Sequence, residues 1–269
     1  MDLSKIRMVV TDMDGTLLNS NHEVSDEFFK LFEHLQSKGI HFVAASGRQY
    51  NSIIDKLYPI KDDIIVIAEN GGFAKQRDHE ILSTPLNTQF VSEILKTIKQ
   101  VPNTYPVLCG KHMAYISGES DAFVQKLKEY YTQFEILNEL SIVDSEIIKI
   151  AIYHFDDSET YIYPHVKHFE NRMKVKVSGE NWVDISSPNA HKGFALEKVM
   201  QLYGITSNEI MVFGDYNNDL EMLALSDYSF AMENAHPAIK RAAKYLTLSN
   251  DAMGVEHQLK KLTDYLLTN

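Results

Sequence analysis

The chain has 269 residues, room for one large domain or two moderate ones. Hydrophobic residues (44%) and charged residues (23%) are in ordinary globular balance, and a formal net charge of -11 argues against nucleic acid, whose phosphates that surplus would repel. The single cysteine, Cys109, excludes an internal disulfide and a cysteine-based zinc site.

MDLSKIRMVV lacks a secretory apolar core, and no apolar run approaches membrane-spanning length. A cytoplasmic chain with no membrane partner is therefore expected. Residues 6–13, IRMVVTDM, read as a buried strand, and 25–38 as a helix capped by Ser25 and stopped by Gly39. Strand 40–46, helix 49–58 and strand 63–68 follow, the last ending at "ENGG". This alternation implies a parallel sheet with helices on its faces.

After about residue 72 the texture changes. FAKQRDHEILSTP reads as a hairpin. Helix 87–101, strand pieces in 107–117, helix 121–133, strand 147–155, helix 158–171 and strands 174–179 and 182–187 follow. This stretch has the pattern of a separate α+β unit inserted into the first. His165 and His168 lie three apart on a predicted helix, but with no third ligand nearby they do not make a zinc site. The first rhythm resumes with helix 191–204 and strand 209–215, then strands 228–232 and 245–248 between helices. The expected fold class is α/β, a Rossmann-like doubly wound parallel sheet with an inserted α+β domain. Residues 1–83 and 187–269 form the first part, and 84–186 the insert.

Ligands of open α/β sheets bind at the carboxyl ends of the parallel strands. Strand 6–13 ends in Asp12, Asp14, Gly15 and Thr16; strand 40–46 in Ser46, Gly47 and Arg48; strand 209–215 in Gly214, Asp215, Asn218 and Asp219. The helix after 187 opens on Lys192 and Gly193. Oxygen ligands near one point suit Mg²⁺. Glycines let backbone N–H groups approach an anion, Ser46 and Asn218 can donate to phosphate oxygens, and Lys192 supplies a compact positive charge. Together these parts suit phosphoryl transfer, where positioning and charge stabilisation do most of the catalysis.

In order and spacing, "DMDGT", "SGR", "HKGFAL" and "GDYNND" resemble the four motifs of the haloacid dehalogenase superfamily. The insert between the second and third motifs resembles the type 2B cap of its Cof-type, sugar-phosphatase-like subfamily, as do "VIAENGG" and "YSFAMENA". The resemblance implies that Asp12 is the nucleophile and Asp14 the general acid and then base. Ser46 would bind phosphate, helped by Gly47 and Arg48, and Lys192 would steady nucleophile and phosphate. Asp215 would hold Mg²⁺ beside Asp12 and the Asp14 carbonyl, with Asp219 in support and Asn218 toward phosphate. The cap would close over the rim and shape the leaving-group pocket. One departure stands out: Glu233 replaces the glycine common before the asparagine of "AMxNA".

The implied activity is Mg²⁺-dependent hydrolysis of a small phosphorylated metabolite, sugar phosphates above all, through an aspartyl-phosphate. The rivals are a phosphatase of pyridoxal phosphate or flavin mononucleotide, a sugar phosphomutase, and an inactive phosphosugar sensor. The physiological ester, the selective cap residues and the oligomeric state stay open.

Overall fold

The computed structural model describes residues 2–118 and 120–268. It falls into two compact units. One comprises Met1–Gly47, Ile53–Leu82 and His191–Asn269, the other Arg48–Ser52 and Ser83–Ala190. Among the described residues, no helix is long and apolar enough to cross a membrane.

The first stretch runs β1 (Met8–Asp12), α1 (Asp26–Ser37), β2 (His41–Ala45), α2 (Tyr50–Lys56), β3 (Ile65–Ala68), β4 (Phe73–Gln76) and β5 (His79–Ser83). The middle stretch runs α3 (Thr88–Ile98), β6 (Thr104–Gly110), β7 (Ala114–Ser117), α4 (Asp121–Leu127), β8 (Phe134–Leu137), β9 (Ile147–His154), α5 (Ser158–Tyr161), α6 (Tyr163–Val166), β10 (Lys174–Gly179) and β11 (Trp182–Ser186). The last runs α7 (Lys192–Tyr203), β12 (Ile210–Gly214), α8 (Leu220–Leu223), β13 (Tyr228–Ala231), α9 (Pro237–Ala242), β14 (Tyr245–Leu246) and α10 (Gly254–Thr268).

The first unit is built on an eight-stranded sheet in the order β14-β13-β12-β1-β2-β3-β4-β5. Its strands are parallel from β14 through β3, and β4 turns back antiparallel. Every residue of β1 is buried, as a central strand covered on both faces requires. Register then places the chemistry. Thr11 pairs with Phe213 and Asp12 with Ala45, so Asp12, Ser46 and Asp215 leave three adjacent strands at one level.

Local chemistry sets the flanking helices. Ser25 Oγ accepts from Phe28 N–H at 3.0 Å to start α1, whose Phe28, Leu31, Phe32 and Leu35 are buried. The Phe28 ring lies 5.1 Å from that of Phe42 on β2. The α7 helix is capped by His191 Nδ1, which accepts from Phe194 N–H at 3.1 Å, and ends on Gly204 in the left-handed conformation.

At the start of β12 a capping box joins Thr206 and Glu209, and Arg7 pairs with Glu209 at 3.2 Å. The Thr206 hydrogen bonds, then Arg7, push the Glu209 carboxyl down from its ordinary 4.5 to about 2. A folded value below the unfolded one means the stabilisation is complete above about pH 4.5 and is lost as the pH falls toward 2. Glu209→Gln should therefore lower the melting temperature at pH 7, with the gap to wild type closing below pH 4. Equal gaps at both pH values would refute this linkage.

The second unit carries a six-stranded sheet, β10-β11-β9-β6-β7-β8. All its pairings are antiparallel except β7 with β8. Alternation along β6 and β9 divides two apolar clusters. Leu108, Ile150 and Ile152 pack with Ile94, Ile98 and Val166, while Val107, Cys109, Ala151 and Tyr153 pack with Phe123 and Leu127. Two expectations need correction here. The predicted helix 158–171 is broken into α5, α6 and a 3-10 stretch (Lys167–Asn171), because Pro164 has no N–H to continue the ladder. The predicted helix 121–133 ends as α4 at Leu127, and β8 follows it unforeseen.

Candidate active site

Asp12 is the last residue of β1 and is 5% exposed. Lys192, at the first position of α7, is wholly buried, and its ammonium donates to Asp12 Oδ1 and, at 2.7 Å, to Asp219 Oδ1. Asp219 Oδ2 accepts the backbone N–H groups of Asp215 (3.0 Å) and Tyr216 (3.1 Å). Both Asp219 oxygens are thus engaged within the protein. Asp215 is half-buried, and its Oδ1 accepts from Thr16 Oγ1 at 3.1 Å. Carboxylate oxygens of Asp12, Asp215 and Asp219 all lie within 4.8 Å of one another.

Glycines permit this crowding. Gly15 has φ +74°, and a Cβ there would collide with Asp215 Oδ2. Gly71 has φ +93°, and a Cβ would meet the His191 carbonyl just before Lys192.

Burial dominates the electrostatics. It raises the Asp12 carboxyl well above the ordinary carboxylate range, against the opposing pull of Lys192. Burial, then the Asp219 charge, pushes Asp215 up to about 6. Burial alone would lower the Lys192 ammonium, but Asp12 and Asp219 outweigh it and hold the lysine charged well above its usual value. Three carboxylates face one ammonium, so ionising all three would leave two negative charges uncompensated. That deficit, with all-oxygen donors, fits one divalent cation such as Mg²⁺. Asp12 and Asp215 offer the oxygens for it, because Asp219 is already committed.

The other predicted residues are placed as follows. Asp14 is half-exposed, with Oδ1 3.4 Å from His22 Nδ1. Ser46 is buried one residue beyond β2, and its carbonyl accepts from Asn70 N–H at 3.0 Å. A Cβ on Gly47 would stand 3.1 Å from the Asn70 side-chain amide. Asn218 Nδ2 donates to Asn70 Oδ1 at 2.9 Å. Arg48 belongs to the second unit, where its guanidinium donates to Ser52 Oγ at 3.3 Å.

Neither Thr16 of "DMDGT" nor Asn70 of "VIAENGG" is among the site residues expected from the sequence. In the structure Thr16 orients Asp215. Asn70, left-handed at φ 54°, links the Ser46–Gly47 turn to Asn218.

A family model described as haloacid dehalogenase-like hydrolase matches residues 9–259, so the chain belongs to the haloacid dehalogenase-like hydrolase family. Among its relatives, the 5-amino-6-(5-phospho-D-ribitylamino)uracil phosphatase YbjI of Escherichia coli (strain K12) is 30% identical, with 96% of each chain covered. The crystal structure of TM0651 from Thermotoga maritima superposes with a TM-score of 0.87 at 27% identity, covering 95% of this chain and 97% of that one. The HAD subclass IIB sugar phosphatase BT4131 shares the fold, with a TM-score of 0.78 at 20% identity over 95% of this chain and 98% of that one. The protein is accordingly an enzyme of the family's phosphatase class.

Proposed function

We propose that the chain is a Mg²⁺-dependent hydrolase of small phosphomonoesters, with phosphorylated sugars and sugar alcohols as its substrates. The observation that carries the reading is the Asp12–Lys192–Asp219–Asp215 cluster, in which three carboxylates gather around one buried ammonium. In this reading Asp12 attacks phosphorus through a carboxylate oxygen, and the ester P–O bond breaks. Asp14 gives its proton to the departing oxygen. Water then attacks the aspartyl-phosphate while Asp14 takes the water's proton, releasing phosphate and restoring Asp12. Lys192 aligns Asp12 and favours its ionised form, and Ser46, Gly47, Arg48 and Asn218 receive the phosphate. Asp12, Asp215 and the Asp14 carbonyl would hold Mg²⁺, which supplies charge neutralisation at the phosphoryl oxygens.

The ribityl ester named for the E. coli relative supports the polyol preference. Its handle is a phosphorylated five-carbon chain, which is also the handle of flavin mononucleotide. The test is phosphate release from ribitol 5-phosphate, ribose 5-phosphate, glucose 6-phosphate, flavin mononucleotide and pyridoxal phosphate, with Mg²⁺ and with EDTA. Sugar and polyol esters should be hydrolysed and EDTA should abolish release. Turnover confined to pyridoxal phosphate would replace the substrate class, an isomerised sugar phosphate would indicate a mutase, and binding without release from any ester would indicate a sensor. Release that survives EDTA would remove the metal from the reading.

A further inference from the structure

The segment after β1 must hold Asp14 in place, yet Asp14 is half-exposed and Gly15 beside it takes a left-handed backbone. Asp12–Leu18 is braced within itself by Leu18 N–H to Met13 O (2.8 Å) and Leu17 N–H to Asp12 O (3.3 Å). Those bonds leave the carbonyls of Gly15 and Leu18 to other partners. Both are taken by side chains more than two hundred residues away in sequence.

Asn234 Nδ2 donates to Gly15 O at 2.7 Å. Asn250 Nδ2 donates to Leu18 O at 2.9 Å. The two asparagines are joined, since Asn250 N–H donates to Asn234 Oδ1 at 3.1 Å. Asp251 completes the set by accepting Ser20 N–H (2.8 Å) and Ser20 Oγ–H (2.6 Å). Three polar side chains from the turns after β13 and β14 therefore grip the stretch Gly15–Ser20 at its start, middle and end. Among the described residues none of the three is hydrogen-bonded to the carboxylate cluster, and none figures in the chemistry proposed above.

Apolar packing does not explain the arrangement, because Asn234 and Asp251 are exposed. Exposed hydrogen bonds contribute little to global stability. Three converging on one loop act instead on where that loop sits. From the Thr16 side, the same loop is bonded to Asp215.

We propose that Asn234 and Asn250, backed by Asp251, are positioning residues that hold the Asp14–Gly15 peptide in register for protonation of the leaving group. This rests on the reading of Asp14 as the general acid. It predicts a specific kinetic signature. Misplacing an acid slows esters whose leaving group needs a proton and spares those whose leaving group does not.

The test uses the full-length enzyme with Mg²⁺ and two probes, p-nitrophenyl phosphate and ribitol 5-phosphate, and compares kcat/KM. Asn234→Asp keeps the shape and the acceptor for Asn250 N–H but loses the donor to Gly15 O. It should lower kcat/KM on the alkyl ester by about tenfold or more and on the nitrophenyl ester by less than about threefold. Asn250→Asp, which keeps its backbone N–H and loses only the donor to Leu18 O, should show the same bias and substitutes for the first variant if that one does not fold. Equal losses on both esters, or wild-type values on both, would overturn the proposal. Asp14→Asn is measured alongside. If it shows the leaving-group bias and the asparagine variants do not, the positioning role alone falls. If Asp14→Asn shows no bias, the acid assignment falls and takes the positioning role with it.

Discussion

Asp12→Asn should abolish turnover, lowering kcat by about three orders of magnitude or more, while leaving the protein folded. An amide cannot serve as the nucleophile, but it preserves the shape of a residue that is 5% exposed. Stability should move the other way. Burial raises the Asp12 carboxyl well above its ordinary range, and the charges of Asp219 and Asp215 add to the rise, so the ionised form is uncomfortable without a cation. In EDTA the variant should melt no lower than wild type, with Lys192 still held by Asp219. Any upward shift of melting temperature that Mg²⁺ gives the wild type should shrink, because one of the two carboxylates proposed to hold the ion would have lost its charge. An activity loss without a stability loss is the pattern of a functional residue held against its own comfort. Near-wild-type turnover would remove Asp12 as nucleophile.

Lys192→Met should be the most destabilising of the changes considered, at about 3–5 kcal/mol in EDTA by urea unfolding. Methionine fills a similar volume in the wholly buried Lys192 site but supplies no charge. Asp12 and Asp219 would then face each other across an apolar stem, and removing one member of a buried ionic set leaves the others uncompensated. The double variant Lys192→Met/Asp219→Asn tests this cause. It removes one stranded charge and should recover part of the stability without recovering activity, a coupling that additive effects would not give. If Lys192→Met matches wild type in stability, the ammonium is not what holds the two carboxylates together.

The motif residues were legible because each breaks a local rule. Carboxylates straight after a buried strand, a lysine opening an amphipathic helix, and an Asp–Asn cluster ending an apolar run all put charge where burial penalises it. The sheet was legible too, since parallel strands buried on both faces appear as continuous apolar runs. Other features left weaker marks. Pro164 gave a readable signal for the break between α5 and α6, yet the apolar spacing of residues 158–171 still favoured one helix. Phe134–Leu137 is too short and too exposed to announce a strand, and its pairing with β7 supplies what its own sequence does not.

The sequence by itself determined the chemistry available. It set two aspartates two residues apart, one lysine at a helix start and one acidic strand end, together with the apolar runs that carry them to a common rim. Only the tertiary structure decided how those charges are shared. Register between β12, β1 and β2 sets Asp12 beside Asp215, and the chain's return through α7 delivers Lys192 to both Asp12 and Asp219. It likewise brought Asn234, Asn250 and Asp251 onto the loop that follows β1. The physical reason is range. Burial, strand pattern and helix caps are read from neighbours along the chain, whereas a hydrogen bond between residues two hundred positions apart exists only once the sheet has closed the distance.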